Sequence, residues 1–199
     1  MTIAAVSGVV CLILATLMVV AMLDRGRSGG TAKTIATAVG VEIGGPFRLT
    51  DHRGDAVSEA DFLGSYLLVY FGYGFCPDVC PTELQNIGVA MDELGADGER
   101  VIPIFITVDP ERDTVAFMKD YVAAFHPRMV GLTGDPERIA EVAKAYRVYY
   151  AKVADEDSAD YLMDHTSYVY LMGPDGNFVT MFRYNTPPNE IAAAVRNAF

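Results

Sequence analysis

The stretch that decides the fold is Tyr66-Leu67-Leu68-Val69-Tyr70-Phe71, followed after three residues by Phe75-Cys76-Pro77-Asp78-Val79-Cys80-Pro81. The first run is apolar and aromatic, which predicts a buried strand. The second run places two cysteines four positions apart, and its proline suits the first position of a helix, where the missing N–H is not needed. This part of the chain therefore predicts a strand, a cysteine loop and a helix, in that order.

The thiol of Cys80 is expected at or beside the N-cap of that helix. The positive end of a helix dipole favours a thiolate over a thiol, so it lowers the pKa of a cysteine placed there. The sequence therefore predicts a reactive sulfur at Cys80.

The flanking sequence alternates between the two periodicities of secondary structure. Apolar spacing predicts helices over residues 82–94, 113–125, 135–146 and 187–199, and apolar runs predict strands over residues 101–108 and 129–132. Hairpins are expected over residues 47–57 and over residues 167–182. This order predicts an α/β fold, a thioredoxin-like three-layer sandwich with the cysteines at the carboxyl end of a central strand.

Composition limits the partners of the protein. The chain has 199 residues, a formal net charge of −11, three cysteines and three histidines. An acidic chain without a basic stripe repels phosphate backbones, so nucleic acid is excluded as a partner. The length suits one domain and an appendage.

The first 23 residues form the predicted appendage. Residues 3–23 carry no charge and are long enough as a helix to cross a hydrocarbon core of about 30 Å. No basic leader precedes them and no small-residue cleavage pattern follows, which favours a retained anchor over a cleaved signal. We therefore expect a transmembrane anchor over residues 1–23, a flexible linker over residues 24–40 and a thioredoxin-like domain over residues 41–199. Cys11, within the anchor, is assigned no chemistry.

The chemistry of the Cys76–Cys80 pair has three candidate forms. A structural disulfide would close so short a loop that it removes little entropy from the unfolded chain. A redox dithiol fits better, although such pairs more often have two intervening residues than three. Two thiolates also select soft or borderline ions, copper(I) or zinc, and would then need a further ligand.

His165 is the best candidate for that ligand. His52 lies in a polar turn and is expected to be solvated, and His126 lies at a helix end, where a cation offsets the dipole. His165 precedes the last hairpin, where thioredoxin-like redox proteins usually carry a cis-proline that this chain lacks. Asp164 could accept a hydrogen bond from its ring and orient it.

The run Asp109-Pro110-Glu111-Arg112-Asp113-Thr114 follows the second core strand on the side of the site. Asp113 is expected to cap the helix that follows. Asp109 could instead support a metal ligand, and the residues alone leave its role open.

Three motifs together resemble the Sco/SenC family: the Phe75–Pro81 run, the run from Thr107 to Thr114, and Asp164-His165-Thr166 followed by Tyr170-Leu171-Met172-Gly173-Pro174-Asp175-Gly176. The similarity covers residues 41–199. It implies a thioredoxin-like domain anchored by one N-terminal helix, with copper bound by Cys76, Cys80 and His165. Gly72-Tyr73-Gly74 departs from the family pattern, which usually shows a threonine or a similar residue there.

The resemblance also implies a function. Members assist assembly of the dinuclear copper A centre in subunit II of cytochrome c oxidase, by delivering copper, by reducing the cysteines of the target, or both. The implied cargo is copper(I), with copper(II) also open, and the implied partners are subunit II, an upstream copper donor and a thiol reductant. The implied location is the outer side of a bacterial inner membrane. A carrier of this kind needs no turnover, whereas the alternative, a thiol-disulfide oxidoreductase, would use Cys76 and Cys80 as its catalytic redox pair.

Overall fold

A seven-stranded mixed sheet runs through the computed structural model, which describes residues 42–154 and 161–199. Its strands are β1 (Arg48–Asp51), β2 (Ala56–Ser58), β3 (Tyr66–Gly72), β4 (Val101–Thr107), β5 (Val130–Thr133), β8 (Tyr168–Met172) and β9 (Phe178–Arg183). They lie in the order β2-β1-β5-β4-β3-β8-β9. β3, β4 and β5 are parallel neighbours, and every pairing outside these three strands is antiparallel.

Two further strands form a separate sheet. β6 (Tyr150–Ala154) and β7 (Tyr161–His165) pair antiparallel, with Tyr150 opposite His165. We call these two strands the histidine hairpin. The sequence analysis did not predict it, because its strands are half-buried or exposed along most of their length and show no alternation of apolar and polar residues.

In the part of the chain that the structure describes, four helices connect and cover the strands. They are α1 (Val79–Leu94), α2 (Val115–Ala123), α3 (Pro136–Ala145) and α4 (Pro188–Asn197), with short 3-10 turns over Glu59–Phe62 and Gly95–Arg100. No helix within residues 42–154 and 161–199 has the length and apolarity needed to cross a bilayer. The anchor and linker predicted over residues 1–23 and 24–40 lie outside the described residues.

The alternation of side chains along β3 creates the layers. Tyr70 stacks on Phe105 of β4 and reaches Cys80 of α1, whereas Phe71 points to the other face and packs on Tyr146, just after α3. Helix α4 packs against α1. Helices therefore cover both faces of a sheet, and the predicted thioredoxin-like α/β arrangement is confirmed.

Two helix starts differ from the prediction. Helix α1 begins at Val79 after the N-cap Asp78, so Cys80 lies inside the first turn. Helix α2 is capped by Thr114, whose hydroxyl accepts from the backbone N–H of Phe117, and the cap expected at Asp113 is wrong. Both shifts change which side chains face the cysteine loop, defined here as residues 73–78.

Gly72 lets the end of β3 approach Cys80. A Cβ at Gly72 would lie 2.8 Å from the sulfur of Cys80, 3.0 Å from the ring of Tyr70 and 3.1 Å from the ring of Phe105. All three neighbours are fully buried. Glycine at position 72 is therefore a packing requirement of this chain.

The substitution Gly72→Ala should lower the free energy of unfolding by about 1–3 kcal/mol, the usual cost of overpacking a filled core. Gly98→Ala is the matched control, because a Cβ there would meet nothing nearer than the Met91 carbonyl oxygen at 3.3 Å. Urea denaturation of the reduced protein measures both. Equal stability of Gly72→Ala and wild type would contradict this account of the packing.

Candidate metal centre

Three ligand atoms from distant parts of the chain meet at the carboxyl end of β3. They belong to Cys76, Cys80 and His165, each offers one atom, and all lie within 4.8 Å of one another. The structure thus brings together the three residues that the sequence analysis singled out. Two thiols and one imidazole form a donor set that fits a soft or borderline metal ion.

Cys80 forms the buried side of the centre. Its side chain is 0% exposed, and its sulfur lies 3.3 Å from Nε2 of His165. The hydroxyl of Tyr70, also fully buried, donates to the same sulfur at 3.7 Å. Burial, and then the hydrogen bond with Cys76, raises the pKa of the Cys80 thiol above its ordinary value. The prediction that Cys80 carries the reactive sulfur is therefore wrong for the metal-free protein.

Cys76 takes the role that was predicted for Cys80. It is partly exposed in the cysteine loop, and the backbone N–H of Cys80 in the first turn of α1 donates to its sulfur at 3.3 Å. The hydrogen bond from the Cys80 thiol, the contact with His165 and the N–H groups at the helix start hold the pKa of Cys76 well below its ordinary value, against the opposing effect of burial. The Cys80 thiol first, and then His165 and the start of the helix, thus stabilise a thiolate at the partly exposed cysteine.

His165 is the last residue of β7. While Nε2 faces Cys80, Nδ1 lies 3.2 Å from the carbonyl oxygen of Thr166, which suits a proton on Nδ1 and a free electron pair on Nε2. Asp164 is exposed and precedes His165 on the strand, so the two side chains leave on opposite faces. A backbone carbonyl, rather than the Asp164 carboxylate, therefore lies beside the ring. The ring of Tyr73 meets the imidazole edge-on, with centroids 5.9 Å apart.

Asp113 ties the cysteine loop to the sheet. Its fully buried carboxylate accepts from the backbone N–H of Gly74 at 2.9 Å and from the hydroxyl of Thr107 at 2.6 Å, through the same oxygen. A Cβ at Gly74 would lie 2.1 Å from the ring of Phe117, so glycine is needed for this approach. Burial raises the pKa of Asp113 to about 6, although both hydrogen bonds oppose that shift.

Asp109 lies beyond the three ligands. It is 1% exposed, one oxygen lies 2.5 Å from Nε of Arg112, and the other accepts from the hydroxyl of Tyr161 at 2.9 Å. Within the described residues its side chain thus contacts Arg112, in the segment before α2, and Tyr161, at the start of β7. Any support that Asp109 gives to His165 passes through these two residues.

The other two histidines have structural partners elsewhere. Nδ1 of His52 accepts from the N–H of Gly131 at 3.2 Å, and Nδ1 of His126 accepts from the N–H of Arg128 at 3.1 Å. His52 is thus partly buried and bonded, rather than solvated as expected.

The centre opens into a groove of about 440 Å³. Its walls are the cysteine loop and the start of α1 on one side and the histidine hairpin on the other, including Pro77, Asp78, Val153 and Leu162. Cys76 and His165 line the groove, whereas Cys80 lies beneath it. A partner approaching the centre would therefore meet Cys76 and His165 first.

Comparisons with known proteins agree with this geometry. The SCO1/SenC family model matches residues 36–199. The human mitochondrial SCO1 homolog is 46% identical over 155 residues, which are 77% of this chain and 52% of the human protein. The chain spans about half the length of the curated relatives it matches.

Two solved structures extend the comparison. The structure of Bradyrhizobium japonicum ScoI with copper bound is 48% identical, has a TM-score of 0.73, and covers 79% of this chain and 99% of its own. The structure of BsSco, a member of the Sco family of cytochrome c oxidase assembly proteins in which a disulfide switch was identified, is 28% identical with a TM-score of 0.61. It covers 79% of this chain and 93% of its own.

Alkylation should separate the two cysteines. In reduced, metal-free protein carrying Cys11→Ser, iodoacetamide at pH 6 should modify Cys76 at least about tenfold faster than Cys80, because the thiolate is the nucleophile and Cys80 is buried. Mass spectrometry of the labelled peptide locates the label. The same protein in urea is the control, in which the two rates should converge; faster labelling of Cys80 in the folded protein would contradict the assignment.

The carboxyl of Asp113 should make stability depend on pH. The folded pKa of Asp113, about 6, lies above the ordinary 3.8, so the folded state binds the proton more tightly than the unfolded state does. The resulting contribution to the free energy of unfolding is complete below pH 4 and is lost as pH rises through 6. Between pH 4 and 7 the free energy of unfolding of wild type should fall by on the order of 2 kcal/mol relative to Asp113→Asn. Denaturant titrations of both metal-free proteins across this range give the free energy of unfolding as a function of pH. Parallel curves for the two proteins would show that the pKa of Asp113 is not raised.

Proposed function

This chain belongs to the SCO1/SenC family, and from that premise we propose that it is a copper carrier for assembly of cytochrome c oxidase. In this proposal Cys76, Cys80 and His165 bind copper(I), and the protein passes the ion to the copper A centre of subunit II. The observation that carries the proposal is the convergence of these three ligand atoms within 4.8 Å. A copper-bound structure of a 48% identical family member supports it.

The donor set and its burial suit a cargo ion. Thiolates and an imidazole select copper(I) or zinc, and three protein ligands leave an open position. Cys76 faces the groove while Cys80 is covered, so an incoming cysteine of the target can exchange with Cys76 first. Copper can then leave stepwise without unfolding of the site, as a carrier requires.

We place the protein at a bacterial inner membrane, with residues 1–23 as its anchor and the domain on the outer side. Relatives of this chain include a mitochondrial human protein and a Bradyrhizobium japonicum protein. In an extracytoplasmic compartment the empty cysteine pair tends to oxidise, so copper binding depends on an upstream thiol reductant as well as an upstream copper donor.

A thiol-disulfide oxidoreductase is the second candidate, and the asymmetry of the two thiols favours it. The Cys76 thiolate would attack a disulfide of the target, forming a mixed disulfide and releasing one target thiolate. Cys80, whose backbone N–H touches the Cys76 sulfur, would then attack that sulfur and release the second target thiol, leaving a Cys76–Cys80 disulfide. This reaction reduces the target by two electrons and does not need His165.

Copper(I) binding by the reduced full chain distinguishes the two functions. His165→Ala should lower the affinity about a hundredfold, roughly 2.7 kcal/mol at 1.4 kcal/mol per decade, because one of three ligands is lost. Cys76→Ser should lose tight binding, and His52→Ala, outside the cluster, should bind as wild type does. Competition against a copper(I) chelator of known affinity measures all four proteins. If His165→Ala binds copper as tightly as wild type and still reduces a disulfide target, the carrier proposal gives way to the oxidoreductase.

A further inference from the structure

The far end of the histidine hairpin has to be held against the cysteine loop by side chains. β6 and β7 form a sheet of their own, so no strand ladder joins them to the seven-stranded sheet. His165 lies three residues before β8, so the chain itself fixes that end of β7, whereas Tyr161 lies at the end away from β8. The 3.3 Å contact between Cys80 and His165 therefore depends both on that connection and on whatever fixes the far end of the hairpin.

Arg112 lies between the two segments that carry the ligands. The carbon at the centre of its guanidinium is 3.8 Å from the ring centroid of Tyr161, the first residue of β7. The same carbon is 4.9 Å from the ring centroid of Phe75 and 5.7 Å from that of Tyr73, both in the cysteine loop. One cation thus contacts a ring of the hairpin and two rings of the loop, in the geometry of cation–π attraction.

Asp109 fixes both Arg112 and the ring on which it stacks. One carboxylate oxygen pairs with Nε of Arg112, and the other accepts the hydrogen bond from the Tyr161 hydroxyl. The carboxylate is 1% exposed and the Arg112 side chain 18% exposed, so the pair is little screened by water. We call Asp109, Arg112 and Tyr161 the Arg112 cluster.

A second link between the same segments is weaker. Nζ of Lys152 on β6 lies 2.7 Å from a carboxylate oxygen of Glu111 and 4.5 Å from the Tyr161 ring centroid. Both charged side chains are about half exposed, and such pairs contribute little. Besides the buried side chain of Met163 on β7, the Arg112 cluster is therefore the stronger of these two polar attachments of the hairpin.

We propose that Arg112 is a positioning residue for the metal centre. By stacking between Tyr161 and the rings of the cysteine loop, and by pairing with Asp109, it holds β7 so that the imidazole of His165 faces Cys80. Arg112 touches none of the three ligand atoms, so it acts through the hairpin. That the positioned centre takes copper rests on the proposed function, whereas the attachment of the hairpin does not.

The test compares Arg112→Gln and Arg112→Lys in the full chain. The matched control is Arg53→Gln, because Arg53 also pairs through its guanidinium with a fully buried carboxylate, that of Asp51, far along the sheet from the centre. In the reduced, metal-free protein, Arg112→Gln should speed hydrogen exchange of the β6 and β7 amides about tenfold, as loss of a desolvated cation–π contact implies, and leave β3 unchanged. Arg112→Lys keeps the charge but not the planar stack, so it should restore part of the protection.

Copper(I) affinity then tests whether Arg112 acts through His165. Arg112→Gln should weaken binding about tenfold, the size of effect seen when a residue supporting a metal ligand is lost. In a His165→Ala background the same substitution should change the affinity less than about twofold, because the ligand it positions is gone.

Two results would overturn the proposal. One is unchanged exchange of the hairpin amides in Arg112→Gln, which would show that the hairpin is held without Arg112. The other is an equal loss of copper affinity in the wild-type and His165→Ala backgrounds, or in Arg53→Gln, which would show a general loss of structure. If the wild-type chain binds no copper, the proposed function fails, yet the exchange experiment on the metal-free protein still decides the role of Arg112.

Discussion

The buried carboxylate of Asp113 is the interaction on which the cysteine loop depends. One of its oxygens joins the N–H of Gly74 in the loop to the hydroxyl of Thr107 at the end of β4. Thr133 of β5 in turn donates its hydroxyl to the Asp113 backbone carbonyl. A charge placed inside the domain costs desolvation energy, which its raised pKa reflects. This cost arises at a place where the backbone of the cysteine loop would otherwise have few hydrogen-bond partners.

The run from Asp109 to Asp113 serves the two halves of the centre separately. Asp113 reaches back to the loop that carries Cys76, whereas Asp109 and Arg112 reach across to the strand that carries His165. Both halves of the centre are thus attached to the segment that follows β4, and β4 is buried between two parallel neighbours. The rigid sheet sets the distance between ligands that are 85 positions apart in the sequence.

Local patterns were sufficient to predict the elements with strong periodicity. β3, β4, α1 and the β8–β9 hairpin have apolar runs, a helical apolar spacing or clear turn residues. The histidine hairpin escaped prediction because it is half-exposed and isolated from the main sheet. The roles of Arg112 and Gly72 could not be predicted, since each arises from contacts between residues far apart in the sequence. The thiolate was assigned to the wrong cysteine because α1 begins before Cys80, which leaves its N–H free to bond Cys76.

The unequal burial of the two cysteines is the feature on which the proposed carrier role depends. Cys80 is covered by the core residue Tyr70 and by His165, so its sulfur is fixed from below the groove. Cys76 lies in an open loop, and its thiolate is stabilised by N–H groups that persist after the ion leaves. In the proposed carrier role, release of the ion would require Cys80 to take up a proton, because burial disfavours a thiolate there. The same stabilised thiolate is also what a reductant of the target would need, so the two candidate functions share one structural cause.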